Sequence, residues 1–283
     1  MRIAVTGGSG KLGRAVVIGL RDAGNEVINF DRVADRDGMS TIVDFTDYGQ
    51  TVDAILGVND RHSGLDAIVH LAAIPAPGIL TDAATFENNM LSTFNVFQAA
   101  RRAGIHRIVY ASSETVLGLP FDAPPPYLPV DEEYDTRPES VYSLVKHLEE
   151  EMARKFTRWE PELAITALRF SNVMAPDDYA AFAHFQDDAT LRKWNLWGYI
   201  DARDGAQAVR LALETAKPGF EAYIIAAADT VMTRPNAELI AELFQGVETK
   251  GDLGINDTLL SITKARQELG YEPQYSWRDE RSC

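Results

Sequence analysis

The chain has 283 residues, 46% of them apolar, with 27 Lys plus Arg against 42 Asp plus Glu and a formal net charge of −15. That length suits one large α/β unit with an appended lobe, and the apolar share can build a core without disulfide staples. So acidic a surface repels phosphate backbones and argues against nucleic acid as a partner. The single cysteine, Cys283, allows no disulfide and no Cys-based zinc site, and the five histidines form no HxxxH or HExxH pattern. No metal is therefore expected, and a reducing compartment suits the chain. The opening MRIAVTGGSG lacks a signal-peptide layout and no apolar run approaches the ~18 residues of a membrane span, which predicts a soluble, cytoplasmic protein.

In chain order, Arg2–Thr6 reads as a strand, Lys11–Ala23 as a helix and Glu26–Phe30 as a second strand ended by Asp31. Thr41–Phe45 reads as a short strand and Tyr48–Leu56 as a helix. Ala67–Ala72 (AIVHLA) is a continuous apolar run, the pattern of a strand covered on both faces. Helix Thr85–Ala103, strand Arg107–Ser112, helix Val141–Arg158 and strand Leu163–Phe170 follow. This βα alternation predicts a doubly wound parallel sheet. Two stretches break it. Pro120–Pro138 holds six of the 13 prolines and an acidic group, and reads as a long surface loop or a lid. Asn172–Trp197 has no clean period and reads as part of a smaller lobe, completed by helices Pro235–Phe244 and Ile262–Leu269.

Three motifs carry chemistry. Thr6-Gly7-Gly8-Ser9-Gly10-Lys11-Leu12-Gly13 lies between a strand and a helix, where Gly7 permits the tight turn. Gly10 lets the backbone approach a pyrophosphate, and Gly13 allows close helix–strand packing. Asp31, at the end of the second strand, accepts ribose hydroxyls and repels a 2′-phosphate, favouring NAD over NADP; Arg32 beside it weakens that preference. In Tyr142-Ser143-Leu144-Val145-Lys146 the phenol and ammonium stand one helical turn apart. The ammonium favours the phenolate, lowering its pKa so that Tyr142 takes a hydroxyl proton while hydride leaves the same carbon for a nicotinamide. The segment Tyr110–Gly118 places Ser112 and Ser113 at a strand's C-terminal end, where ligands of such sheets collect.

Together these motifs resemble the extended short-chain dehydrogenase/reductase superfamily, in its NAD-dependent epimerase/dehydratase branch. The resemblance covers residues 1 to about 176, resumes at Tyr199–Glu214 (YIDARDGAQAVRLALE) and returns at Ser261–Tyr275 (SITKARQELGYEPQY). It implies a Rossmann-type NAD-binding domain of residues 1–171, with 199–228 returning to it, and a small substrate-binding lobe of 172–198 and 229–283. It implies Ser113, Tyr142 and Lys146 as the catalytic trio, with Lys146 also binding the nicotinamide ribose. Cofactor contacts are implied for Gly7, Gly10, Lys11, Leu12, Gly13, Asp31, Asp44, Phe45, Leu71, Ala72, Ala73, Asn89, Tyr142, Lys146 and Ser171. Glu114, Thr115, Asn172 and Arg192 are its candidate substrate ligands.

The substrate so implied is a sugar or a nucleotide sugar, and the resemblance leaves epimerisation and net oxidation both open. Val116-Leu117-Gly118 replaces the family's V-Y-G, so one aromatic is missing. The stretch after Asn172 is shorter than the lobe of nucleotide-sugar epimerases and closer to uronate dehydrogenases, which oxidise a free sugar acid. Those read Asn-His where this chain has Glu114-Thr115. Dehydration ranks lower, because Glu114 supplies only one carboxylate of the acid/base pair it needs. A non-catalytic dinucleotide sensor is the alternative of another class; relatives of that kind have lost the Tyr or Lys, and both are kept here. The family's homodimer pairs the helices that are Thr85–Ala103 and Val141–Arg158 here. Leu144, Leu148, Met152 and Phe156 form a stripe that faces either a partner or the chain's own sheet.

Overall fold

A computed structural model describes residues 1–34, 40–57 and 62–280, so Cys283 lies outside the described residues. The strands are β1 (Arg2–Thr6), β2 (Glu26–Asp31), β3 (Ser40–Ile42), β4 (Ala67–His70), β5 (Arg107–Ser113), β6 (Tyr127–Leu128), β7 (Ala164–Phe170), β8 (Val173–Met174), β9 (Ile200–Asp201), β10 (Gly219–Ile225) and β11 (Glu248–Thr249). The helices are α1 (Lys11–Asp22), α2 (Tyr48–Leu56), α3 (Asp82–Ala103), α4 (Val141–Trp159), α5 (Ala202–Glu214), α6 (Asn236–Leu243), α7 (Thr263–Leu269) and α8 (Trp277–Glu280). Among the described residues, seven strands form one parallel sheet in the order β10-β7-β5-β4-β1-β2-β3. This is the doubly wound, Rossmann-type sheet that the alternation predicts.

Both faces of the sheet are covered, which is why β4 lies in a continuous apolar run and β1 and β7 are buried on consecutive residues and not on alternate ones. Helices α1 and α5 pack together on one face, and α2, α3 and α4 line the other. The strand order reverses between β1 and β4, and a crevice opens there beyond the strands' C-terminal ends. The first face does not stop at the sheet. Its core runs from Val5 and Leu20 through Leu168 and Val209 to Trp197, Phe244, Leu260 and Trp277, so the C-terminal elements share one apolar interior with it. The segments Pro176–Phe185 and Ala189–Asn195 are 3-10 turns, whose threefold repeat leaves no 3.6-residue period to read.

The proline-rich stretch corrects its reading as a surface loop. Phe121, Leu128 and Val130 are fully buried. β6 pairs in parallel with β11, and the Val130 amide donates to the Leu259 carbonyl at 2.9 Å while its carbonyl accepts from Ser261 at 2.7 Å. Glu132 accepts the Ile224 amide at 2.7 Å, and the Arg137 amide returns to the Val116 carbonyl at 2.8 Å. The stretch is a strap, fastened by its apolar side chains to the C-terminal elements at one end and to β5's exit at the other. Leu128→Ala is therefore expected to cost about 2–5 kcal/mol of unfolding free energy, read from the shift in urea midpoint. A loss within ~0.5 kcal/mol, the usual size for an exposed position, would contradict a buried strap.

Candidate active site

A cavity of about 1180 Å³ opens at the strand reversal. Its floor is the turn between β1 and α1. Gly7 has φ +74°, and a Cβ there would stand 2.7 Å from the Ala72 nitrogen. A Cβ on Gly13 would stand 2.1 Å from the Gly7 carbonyl oxygen, so only glycine lets α1 start this close to the strand. Gly10 caps α1 without a side-chain hydrogen bond, and no acidic residue sits in the first turn. The helix's first amides thus face the cavity as an anion cradle.

Asp31 and Arg32 stand at one end of the wall. The Asp31 carboxylate accepts the amides of Ser9 at 2.8 Å and Val33 at 3.2 Å. Arg32 donates to Asn88 Oδ1 at 3.0 Å and lies 3.7 Å from the Asp44 carboxylate. Gly7, Gly10, Lys11, Leu12, Gly13, Asp31, Asp44, Phe45, Leu71, Ala72, Ala73 and Ser171 all line the cavity. Asn89 does not: its side chain is buried and bonds both backbone groups of Ile74, at 2.8 and 3.1 Å, and so holds the wall-forming turn after β4. Lys11 lines the floor and is tied to Asp178 at 2.5 Å.

The other end gathers Ser113, Glu114, Thr115, Tyr142, Lys146 and Asn172. Ser113 ends β5 and caps the turn Glu114–Leu117, its Oγ accepting from the Thr115 amide at 3.2 Å and hydroxyl at 3.0 Å. Tyr142 stands in the first turn of α4, which a reciprocal Ser140–Ser143 capping box starts at that point. Lys146 is 3% exposed, and its ammonium donates to the Ala111 carbonyl at 2.8 Å and to Glu149 at 2.9 Å. The phenol's pKa corrects the expectation of a net lowering. Burial, the largest cause, pushes it above its ordinary value against the pull of Lys146 and Ser113, and the charges of Glu149 and Glu114 add to the rise.

Arg192 is not on the cavity wall. It is buried, donates to the Gly198 carbonyl at 2.7 Å, and stacks against Phe185 and Trp194. The sequence reading missed Trp194, Leu119 and Pro120, which do line the cavity. It also missed the acidic pair Glu149 and Glu150 under Lys146. Glu150 is bridged twice by Arg169, at 2.9 and 2.8 Å, and accepts from Ser112 at 2.7 Å. Two carboxylates on the face that carries Tyr142 and Lys146 are the signal that could have found them.

Glu114 is 3% exposed, and its carboxylate accepts from Ser171 at 2.6 Å and Asn195 at 3.2 Å. Burial nevertheless raises its pKa from 4.5 to about 7. The folded state therefore holds an extra proton between those values, so stability falls as pH rises through that window and levels off above it. Glu114→Gln, uncharged at every pH, is expected to gain Tm relative to wild type from pH 4.5 to about pH 7. A Tm difference that stays constant over that range would contradict the buried, protonated group.

With this geometry in place, comparison with known proteins is direct. The model of the NAD dependent epimerase/dehydratase family matches residues 3–226. A UDP-glucose 4-epimerase of Erwinia amylovora is 30% identical over 186 residues, 61% of this chain and 53% of the relative. The chain thus spans about half the length of the UDP-glucose 4-epimerases it matches. An L-arabinose 1-dehydrogenase (NAD(P)(+)) of Haloferax volcanii is 26% identical over 282 residues, 96% of both chains. Among solved structures, a short-chain dehydrogenase/reductase superfamily protein of Agrobacterium tumefaciens with bound NAD superposes with a TM-score of 0.74 at 24% identity, covering 98% of this chain and 94% of that one. A UDP-galactose 4-epimerase gives 0.69 at 27% identity with the same coverage. The chain belongs to the NAD dependent epimerase/dehydratase family.

Proposed function

We propose that the chain is an NAD-dependent dehydrogenase that oxidises a hydroxyl of a small, uncharged, free sugar. One observation carries the choice of substrate. Beyond the glycine loop, the strand ends and the Tyr142–Lys146 face, the wall includes Glu114, Thr115, Leu119, Pro120, Glu139, Ser140, Asn172, Val173 and Trp194. Among the described residues these nine include two carboxylates and no lysine or arginine, and Lys11 of the floor, which reaches the Val173 carbonyl at 3.4 Å, is already paired with Asp178. A diphosphate or a sugar carboxylate placed there would lose water and meet Glu114 and Glu139, with Lys11 already committed to Asp178. Trp194 and Leu119 offer apolar surface to the C–H side of a sugar ring, while Thr115, Asn172 and Glu114 offer partners to its hydroxyls. The end-to-end match to a relative named as a sugar dehydrogenase supports the same reading.

The residues fit a dinucleotide: Gly7 and Gly13 leave no room for a Cβ, the α1 amides are uncapped, and Asp31 stands where a ribose would be read. When bound, NAD+ supplies the two-electron acceptor for hydride. Tyr142 accepts the substrate's hydroxyl proton at Oη, and Ser113 holds the same oxygen in line. The O–H and C–H bonds break together with formation of the carbonyl. Lys146 steadies the charge on the phenol. Because burial holds that phenol high, oxidation should quicken as pH rises into the alkaline range. Asp31 supports NAD over NADP, since Arg32 is drawn to Asn88 and Asp44 and away from a 2′-phosphate. Exposed Phe86, Leu91 and Phe94 on α3 and Leu144 on α4 support a homodimer through these two helices.

Incubation with NAD+ and a panel of free aldoses, uronic acids and UDP-, GDP- and dTDP-sugars tests the reading. NADH is expected with neutral aldoses, more slowly with NADP+, from a particle of twice the 31.2 kDa chain mass by light scattering. Tyr142→Phe is expected to lose about 10²-fold or more in turnover. Interconverted nucleotide sugars without net NADH would contradict it.

A further inference from the structure

One buried charge on α4 is left unexplained by a Ser-Tyr-Lys site. Glu149 is fully buried one turn beyond Lys146, with its Oε2 2.9 Å from the ammonium. Its other oxygen, Oε1, accepts the hydroxyl of Thr93 on α3 at 3.0 Å. Thr93 Oγ1 lies 3.2 Å from His70 Nε2, and His70 Nδ1 lies 2.7 Å from Thr6 Oγ1. Thr6 Oγ1 in turn accepts the Ala72 amide at 3.2 Å.

The two ends of this chain fix its sense. The Ala72 amide can only donate, and the carboxylate can only accept. Thr93 spends its one proton on Glu149, so its lone pair takes a proton from His70 Nε2; Nδ1 is then the acceptor for Thr6. The chain therefore needs a neutral His70, and burial, aided by Lys146, holds its pKa down at about 3. Every donor points towards Glu149, and the first of them, Ala72, is part of the cavity wall. Burial raises the Glu149 pKa, and the Lys146 ammonium and this run of oriented donors, ending in the Thr93 hydroxyl, work against that rise in favour of the anion.

We propose that Glu149 is the positioning residue of this site, an anion held by the Ala72–Thr6–His70–Thr93 chain that anchors the Lys146 ammonium and sets how much of its charge reaches Tyr142. The proposal rests on the reading of Tyr142 and Lys146 as the reacting pair. With the Ala111 carbonyl and Glu149 taking two of the three ammonium protons, the third is left for the cavity. The neighbouring charges leave this task to Glu149. Glu150 on the same helix is taken by Arg169 of β7 and Ser112 of β5. Glu114, after β5, faces Tyr142, and its bonds go to Ser171 and Asn195. Tyr110 of β5 faces both Glu149 and Glu150, with Arg169 and Arg154 opposing them. His70 of β4 is neutral. A carboxylate in contact with the ammonium cancels part of its field at the phenol, so removing that carboxylate makes the phenol ionise more readily.

Glu149→Gln tests this without any cofactor. The ultraviolet absorbance of tyrosinate, taken as the difference between each protein and its Tyr142→Phe counterpart, isolates the Tyr142 titration. Glu149→Gln is expected to move it to lower pH by on the order of one unit, about tenfold in phenolate fraction. The acid limb of kcat/KM should move the same way. A merely structural Glu149 would lower Tm and leave both curves in place, and that result overturns the proposal. Should the amide variant fail to accumulate folded, Thr93→Val removes the hydroxyl that holds Glu149 ionised. A smaller shift in the same direction is then expected, and an unshifted phenol again overturns it. Turnover retained by Tyr142→Phe would instead sink the catalytic reading while leaving the titration result standing.

Discussion

A lysine ammonium shut between a helix and the edge of a parallel sheet is the constraint that organises this site. Taking Lys146 out of water costs on the order of several kcal/mol unless its protons are met. The fold meets them with the Ala111 carbonyl at the end of β5 and the Glu149 carboxylate one turn along α4. That carboxylate is itself buried and needs donors, which come from α3, β4 and β1 in succession. Two layers of the molecule, the sheet and the helices on one of its faces, are thus committed to holding one charge beside Tyr142. A second buried cluster, Glu150 with Arg169 and Ser112, closes the space beneath it and keeps the two carboxylates apart in function.

The cavity in front of this cluster owes its position to topology. Parallel strands end together, and at the β1–β4 reversal their helices depart to opposite faces and leave a gap. The glycine floor lets α1 begin against that gap, and the strap from Leu119 to Pro138 fixes the far wall. Because the strap is seated in the same apolar core as Trp197, Phe244 and Trp277, the substrate side of the cavity is continuous with the body of the protein.

Much of this was legible in the residues. β4 announces itself because a strand covered on both faces reads as a continuous apolar run, β1 and β7 through the βα alternation around them, and Tyr142 and Lys146 are tied by a spacing of four. The strap was not legible, since prolines signal a break in local pattern while Leu128 and Val130 find their backbone partners 120 or more residues away. Asn89 and Arg192 have the side chains that ligand contacts use, yet tertiary packing turns one onto the Ile74 backbone and the other onto Gly198. The direction of the Tyr142 shift was missed for a related reason. Spacing reveals the ammonium and the carboxylates on its face, whereas the burial that is the largest cause of the shift emerges only once α4 is laid on the sheet.

In the proposed reaction hydride leaves a free sugar and stays on the cofactor. A neutral aldose deuterated at the carbon being oxidised, turned over with NAD+, tests this most directly by mass spectrometry of both products. Deuterium is expected in the NADH and absent from the oxidised sugar. Deuterium retained in an isomerised sugar, with no net NADH, would contradict the account and assign the site to epimerisation.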